Sequence, residues 1–268
     1  MNDKHPICVK SGSLEVRVAS NAQEIRAAQE LRYRVFYEEL EAKASNPIII
    51  EQKRDFDDFD DFCEHLIAID HQQPEPKIIG TYRMLRRAGA ERKGCFYTAS
   101  EFDITKLEEY PGEVLEVGRS CVDVNYRSRS VMQILWQGIA AYLAYYDIKL
   151  LFGCASLHGN DLSRWAHSLS YLHHYHLAPP ALRVKALPEM FINMNNHSLS
   201  EVDSRKALHS LPPLVKGYLR LGGFVGDGAV IDPEFNTIDV CVMVKTDLIK
   251  DKYAKHYART TKDSGASS

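Results

Sequence analysis

The sequence predicts one α/β domain with a helical, irregular insertion, and three observations carry that expectation. Strand-like apolar runs and segments of helical spacing alternate from Leu14 to Lys245 without a break in composition. Glu113 to Val124 reads as a strand, rich in Val and Leu and interrupted by charges. It feeds a segment, Val131 to Tyr146, in which Met132, Leu135, Trp136, Ile139, Leu143 and Tyr146 recur on one helical face. Between the two lies the turn Asn125-Tyr126-Arg127-Ser128-Arg129-Ser130. A basic turn at a helix N-terminus is a ready anion site, because free amides and the positive end of the helix dipole converge there.

Bulk properties narrow the function classes. The 268 residues are 45% hydrophobic and 26% charged, enough to bury a sizeable core. A net charge of −3 supplies no general basic field for nucleic acid. The six cysteines form no C-x-x-C pair, which predicts reduced thiols in a cytoplasmic protein and no zinc framework. No apolar run approaches the ~20 residues of a transmembrane helix, and the first residues lack the apolar core of a signal peptide.

Taken in order, residues 1–13 read as a loose arm, 14–257 as the domain and 258–268 as a disordered Ser/Gly/Lys-rich tail. Leu14 to Ala19 alternates as a strand. Asn21 and Glu24 form a capping-box pattern for a helix from Ala22 to about Leu40, with Ile25, Ala28, Leu31 and Val35, or the stripe of Arg32 and Phe36, facing inward. Residues 41–64 read as a long connection ending in an acidic run, and such connections are more often functional than filler. His65 to Asp70 and Ile78 to Leu85 read as a hairpin. Residues 86–112 are mixed, with a short ordered segment at Glu101 to Ile104. Leu150 to Ser156 is apolar throughout, as a strand buried on both faces would be. A helix follows over Asp161 to Tyr175, then an irregular stretch over 178–205. A short helix at Leu214 to Leu221 is stopped by Gly222-Gly223, Gly226-Asp227-Gly228 turns, and Thr237 to Lys245 is the last strand.

Several motifs together resemble one family. They are Leu31-Arg32-Tyr33-Arg34-Val35-Phe36-Tyr37-Glu38, Asp57-Asp58-Phe59-Asp60-Asp61-Phe62-Cys63-Glu64-His65-Leu66, Gly80-Thr81-Tyr82-Arg83-Met84-Leu85 and Glu116-Val117-Gly118-Arg119-Ser120-Cys121-Val122. With Leu135-Trp136-Gln137-Gly138, Leu169 to His174, Leu211 to Arg220 and Gly226 to Val230, they look like the bacterial ornithine N-acyltransferases over residues 14–257. That group is similar to the acyl-homoserine lactone and N-acyl amino acid synthases. The resemblance implies a GNAT acyltransferase fold, a splayed mixed β-sheet flanked by helices. It implies transfer of a (3-hydroxy)acyl chain from acyl carrier protein to the α-amine of ornithine, giving lyso-ornithine lipid. No metal, redox cofactor or nucleic acid enters that reaction, and the amphiphilic product allows peripheral contact with the cytoplasmic face of the inner membrane. The usual phosphate turn of the fold, Gln/Arg-x-x-Gly-x-Gly/Ala, is Arg127-Ser128-Arg129-Ser130-Val131-Met132 here, with both small positions changed, which argues against tight coenzyme A binding and is compatible with a carrier-protein donor with one phosphate.

Amide formation from a thioester needs a base for the amine and donors for the oxyanion. Glu116 is the expected base and Arg119 its companion; the plainer reading is a strand carboxylate paired to that arginine. Residues i and i+3 of a regular strand face opposite ways, so a shared site requires a bulge near Gly118. Arg127, Ser128, Arg129, Ser130 and Val131 are expected to hold the phosphopantetheine phosphate, or else form a solvated basic turn. Arg32, Phe36, Asp57 and Asp60 are expected at the acceptor, arginine for its carboxylate and aspartate for its ammonium; the alternative is an acidic, solvated loop. Phe56, Phe59 and Phe62 read as loop anchors. His65 and Asp70, five apart on a strand, face opposite sides and are set aside as a catalytic pair. His173, His174 and His176 lack the partners a metal site needs. The Met190 to Met194 segment reads as a buried insertion. Two rivals stand beside this assignment: a synthase of the same superfamily with another acceptor, and a non-catalytic module that binds acyl carrier protein.

Overall fold

The computed structural model describes residues 6–72 and 74–247. The tail expected at 258–268 lies outside them, as do residues 1–5 and 248–257. Eleven strands are seen in this span: β1 (Cys8–Ser11), β2 (Leu14–Val18), β3 (Glu64–Asp70), β4 (Lys77–Arg86), β5 (Phe102–Asp103), β6 (Glu113–Val122), β7 (Ile148–His158), β8 (Lys185–Ala186), β9 (Phe224–Val225), β10 (Val230–Asp232) and β11 (Thr237–Lys245). The α-helices are α1 (Ala22–Tyr33), α2 (Pro47–Gln52), α3 (Arg87–Lys93), α4 (Thr105–Glu108), α5 (Arg129–Tyr145), α6 (Leu162–His176), α7 (Ser204–Ser210) and α8 (Pro213–Arg220).

One mixed sheet runs β1-β2-β3-β4-β6-β7-β11-β10, with β9 on β11, while β5 and β8 pair separately. Within the large sheet only β6 and β7 are parallel. Their pairing stops at Glu116 and Phe152, although β6 continues to Val122 and β7 to His158. Beyond Glu116 the two strands part, which is the splay the resemblance implies. At the parting point the backbones nearly touch: a Cβ on Gly153 would stand 2.1 Å from the Val117 carbonyl oxygen.

Alternation along β3 shows the layers. Leu66 and Ala68 pack in the cluster that contains Leu135 and Ile139 of α5. Ile67 and Ile69 pack with Ala28 of α1. The two helices therefore cover opposite faces. A Cβ on Gly138 would lie 2.3 Å from Val16 Cγ1, so the glycine lets α5 settle onto β2. Among the described residues no helix is long and apolar enough to cross a membrane.

Several expectations are corrected. The arm contains a strand, β1, paired in register with β2. The first helix is shorter than expected as an α-helix: Asn21 accepts from the Glu24 amide at 3.0 Å, but Arg34–Glu39 is a π-helical segment. Residues 41–64 contain α2, started by the Asn46 cap and Pro47. The buried face of α5 includes Leu135, Ile139 and Leu143 as expected, but also Val131, Ile134 and Tyr142, with Met132, Trp136 and Tyr146 at its margin. α7, capped by Asp203, begins at the end of the stretch read as irregular and continues to Ser210.

Candidate active site

A bulge brings the two expected catalytic residues to one cavity. Across β4 and β6, Thr81 faces Cys121 but Arg83 faces Gly118, so β6 carries one extra residue opposite Tyr82. Arg119 takes up the kink at φ +49°, a left-handed conformation that costs a non-glycine residue of order 1 kcal/mol. Glu116 and Arg119 both line a cavity of about 410 Å³ at the parting of β6 and β7. Its other walls include Phe36 from the π-helical segment, Phe59, Tyr97, Tyr218 of α8, and Thr237 and Asp239 of β11. Phe59 therefore does more than anchor its loop; it also stacks edge-on against Tyr97.

Glu116 is held by the short 3-10 turn at Tyr97–Ser100. Its Oε2 accepts from the Tyr97 amide at 2.9 Å, and its Oε1 from the Thr98 amide at 2.6 Å and the Thr98 hydroxyl at 2.5 Å. Burial raises its pKa, and the Thr98 and Tyr97 donors pull against that rise. No ion pair joins it to Arg119 among the described residues, so the simple strand pair is not formed.

Arg119 belongs instead to an ion network at the cavity wall. Its Nη2 lies 3.2 Å from Asp57 Oδ2 and its Nε 3.4 Å from Asp55 Oδ2. Arg83 Nη1 reaches Asp57 at 2.5 Å and Asp60 at 3.5 Å. Arg32 donates from Nε to Asp55 at 2.6 Å and from Nη1 and Nη2 to Asp60 at 2.8 and 3.0 Å. Burial works against the charge of Arg32, but Asp55 and Asp60 outweigh it and raise its pKa. Burial likewise opposes ionisation of Asp60, and Arg32 lowers it. Burial lowers His65, beside Asp60, to about 4.

This geometry corrects two acceptor roles. Arg32 is 0% exposed and each of its three nitrogens donates to Asp55 or Asp60, so it cannot reach an acceptor carboxylate. Asp60 is similarly enclosed. Asp57, partly exposed, steadies Arg83 and Arg119, and Phe36 does face the cavity. The acidic loop is thus divided: Asp58 and Asp61 are exposed to solvent, while Asp55, Asp57 and Asp60 turn inward as the scaffold of the arginines. Sequence reading missed Arg83, Thr98 and Tyr97. Arg83 carries a signal, a lone charge within the apolar hairpin strand Ile78 to Leu85, whereas Tyr97 and Thr98 carry none.

At the basic turn, α5 begins at Arg129 with no side-chain cap from Ser128. Ser128 and Ser130 bond one another at 2.8 Å, and both are exposed. Arg129 is exposed and makes no ion pair among the described residues. Arg127 is already paired with Glu39, at 2.5 and 2.6 Å, and bonds the Val122 carbonyl. The Val131 side chain is buried, which leaves only its amide for a ligand.

Other motifs resolve simply. Asp70 accepts from the Gln72 amide, far from His65, which contacts Asp60. His174 bonds the His197 carbonyl and His176 the Tyr171 hydroxyl, so these histidines do not converge. In the insertion Met194 is buried, and Met190, Phe191 and Ile192 are half-buried.

Residues 31–137 match the acetyltransferase (GNAT) domain family. Over 92% of its length the chain is 45% identical to an L-ornithine N(alpha)-acyltransferase of Brucella abortus (strain 2308), covering 89% of that protein. It is 42% identical to the L-ornithine N(alpha)-acyltransferase of Rhodobacter capsulatus, over 94% of this chain and 98% of the relative. Among solved structures, an N-acyl amino acid synthase from uncultured soil microbes aligns at 11% identity, with a TM-score of 0.49 over 87% of this chain and 92% of that one. With this identity carried along nearly its whole length, the chain belongs to the L-ornithine N(alpha)-acyltransferases, acyltransferase enzymes of GNAT fold.

Proposed function

We propose that this enzyme moves a (3-hydroxy)acyl chain from the phosphopantetheine thioester of acyl carrier protein to the α-amine of ornithine. The observation that carries the reading is the cavity where β6 and β7 part, with Glu116 and Arg119 on one wall. Glu116 takes a proton from the α-ammonium, directly or through one water, using the lone pair of Oε2 that the Tyr97 amide leaves open. The freed amine attacks the thioester carbonyl. Amides of β6 beyond Glu116 have no β7 partner and are the donors available to the oxyanion. The C–S bond then breaks, the carrier thiolate takes up a proton, and the amide remains.

The donor phosphate is assigned to the uncapped N-terminus of α5, with Arg129 and the amides of Ser130 and Val131. Arg127, held by Glu39, shapes the turn. Arg119 is the cation offered to the acceptor carboxylate from the cavity wall. A thioester is already activated for aminolysis, so no metal or redox cofactor is assigned. The amphiphilic product fits release at the cytoplasmic face of the inner membrane.

The test is mass spectrometry of the purified enzyme with 3-hydroxyhexadecanoyl carrier protein and a pool of free amino acids. N-acyl-ornithine that disappears in Glu116→Ala is the expected result. An amide of another amino acid would overturn the acceptor, and an untouched thioester would overturn the reaction.

A further inference from the structure

The floor of the cavity holds a second cluster that the proposed chemistry does not use. Oxygens of Glu101, Asp232 and Asp239 all lie within 4.8 Å of one another. Asp232 and Asp239 face the cavity, and Glu101 stands behind them, bonded by the Cys154 thiol at 3.3 Å. No lysine or arginine pairs with any of the three among the described residues. The nearby Arg119 is engaged by Asp55 and Asp57. One oxygen of Asp232 accepts the Glu234 and Phe235 amides, which fixes the carboxylate without neutralising it.

An independent feature points to a ligand. Thr237 and Asp239 share one face of β11 and are 7% and 5% exposed, yet Thr237 Oγ1 and Asp239 Oδ1 have no hydrogen-bond partner. Both residues line the cavity. Buried acceptors without donors are costly, of order 1–3 kcal/mol each, and a bound donor removes the cost. Burial also raises the pKa of both Glu101 and Asp239; repulsion from Asp232 adds to it, and the Cys154 thiol beside the first and the Thr237 and Ser156 hydroxyls beside the second pull against it. The site is therefore short of positive charge, and the neutral donors beside it, the Cys154 thiol and the Thr237 and Ser156 hydroxyls, do not make up for it.

We infer that Asp232 and Asp239, backed by Glu101 and completed by the Thr237 hydroxyl, receive the side-chain ammonium of the acceptor amino acid. A primary ammonium offers three donors in tetrahedral array, and oxygens sharing it at hydrogen-bond distance stand about 4.6 Å apart. Oxygens within 4.8 Å of one another are close enough to share one ammonium in this way. It is linked to Glu116 by a short chain of side chains: the Thr98 hydroxyl donates to Glu116 and lies 3.8 Å from the Cys154 sulfur, which in turn contacts Glu101. The two amines of ornithine, about 6 Å apart when extended, are assigned one to the base and one to the cluster, on either side of Cys154. The inference rests on the assignment of ornithine as acceptor and names what selects it.

The test compares ornithine with norvaline, the same skeleton without the δ-ammonium, as acceptors for the full-length wild type, Asp239→Asn, Asp232→Asn and Glu101→Gln, with 3-hydroxyhexadecanoyl carrier protein as donor. The expected result is that kcat/KM for ornithine falls about 100-fold in Asp239→Asn, chiefly through KM, while norvaline loses far less, so the preference collapses. Asp232→Asn, nearer the surface, gives the same direction if Asp239→Asn does not fold. Glu101 acts through the two aspartates, and Glu101→Gln moves KM and its pH dependence with little change in kcat. Equal losses for both acceptors in every variant mean a structural role and overturn the inference. Stoichiometric binding of Mg²⁺ or Mn²⁺ that is lost in Asp239→Asn, and is required for turnover, overturns it in favour of a metal. A wild type that uses ornithine and norvaline equally defeats this inference alone; one that acylates neither defeats the ornithine assignment as well.

Discussion

Two buried charge clusters border one cavity, and they are built on opposite plans. The network under β4 and β6 sets Arg32, Arg83 and Arg119 against Asp55, Asp57 and Asp60, and its charges cancel. The cluster on β10 and β11 sets Asp232 and Asp239 beside Glu101, with nothing to cancel them. A buried charge is tolerable when paired and hydrogen-bonded. The balanced network stands without a ligand and serves as scaffold, presenting Arg119 at the cavity wall, whereas the unbalanced one is complete only with a cation. Net charge and open hydrogen-bonding capacity separate frame from site better than the number of charged residues does.

The sharpest way to break that distinction is to remove one member of each cluster. Arg32→Met strands Asp55 and Asp60 in the interior, and about 3–5 kcal/mol of stability should be lost. Urea denaturation measures it through the midpoint at constant m-value. Asp239→Asn removes a charge that has no partner, so the ligand-free protein should be no less stable than wild type. If both substitutions destabilise alike, the two clusters are both structural.

Glu116 stands between the plans, with three donors but no cation. Glu116→Gln should lower kcat by about 10²–10⁴ if the carboxylate is the base. Thr98→Val is the finer probe. The Thr98 hydroxyl lowers the Glu116 pKa, so its removal raises that pKa. A base must be ionised to act, and the acid limb of the kcat/KM profile should move to higher pH. A profile that keeps its position would leave Glu116 as an anchor for the Tyr97–Thr98 turn.

The scaffold and the site were not equally legible in the sequence. Strand Thr237–Lys245 was readable to the residue because β-branched residues dominate it, and Glu116 and Arg119 because a bulge was the one geometry that could bring them together. Arg32 and Asp60 were readable as special but not as scaffold, since whether a buried arginine is already satisfied depends on where a loop 28 residues away folds back. The carboxylate cluster was missed because its members come from three separate elements. A trace of it existed: Thr237 and Asp239 are polar at i and i+2 on an otherwise apolar strand, and Ser156 and His158 face them from β7. Paired polar positions at the open end of a core strand are what a site looks like before it is folded.

The clusters also differ in how they respond to pH. Asp57 and Asp60 have lowered pKa values, with burial outweighed by Arg83 for the first and Arg32 for the second. Their contribution is present above the unfolded value near 3.8 and lost only as pH falls through the folded values. Glu101 and Asp239 are the reverse, raised to about 8 and about 6, first by burial. Their contribution is complete below the unfolded values of 4.5 and 3.8 and is lost as pH rises through the folded ones. Cys154 and Ser156 on β7, Thr237 on β11, Asp232 on β10 and Arg119 on β6 face the pair; Asp232 opposes its ionisation, while the Cys154 thiol favours that of Glu101, the Thr237 and Ser156 hydroxyls that of Asp239, and Arg119 that of both, without outweighing burial. The melting temperature of the ligand-free protein should therefore decline by a few degrees between about pH 5 and 8. Glu101→Gln should flatten the decline, and saturating ornithine should lessen it. A slope indifferent to both would detach the cluster from the acceptor.

The smallest effect tests the same rule with the sign reversed. At the start of α5, Arg129 and free helix amides form a region short of negative charge, while Arg127 is already balanced by Glu39. If imbalance marks a site, the two arginines should not behave alike. Arg129→Gln should raise KM for the acyl carrier about tenfold at low ionic strength, the worth of one charge-assisted contact. The effect should shrink toward physiological salt, because an exposed contact is screened. Arg127→Gln should change KM less, since the phosphate gains little from a guanidinium already held by a carboxylate. Steady-state kinetics at two salt concentrations separate the cases. Equal effects would mean that the turn attracts the carrier only by its summed charge, and that pairing in the free enzyme does not determine which arginine meets the phosphate.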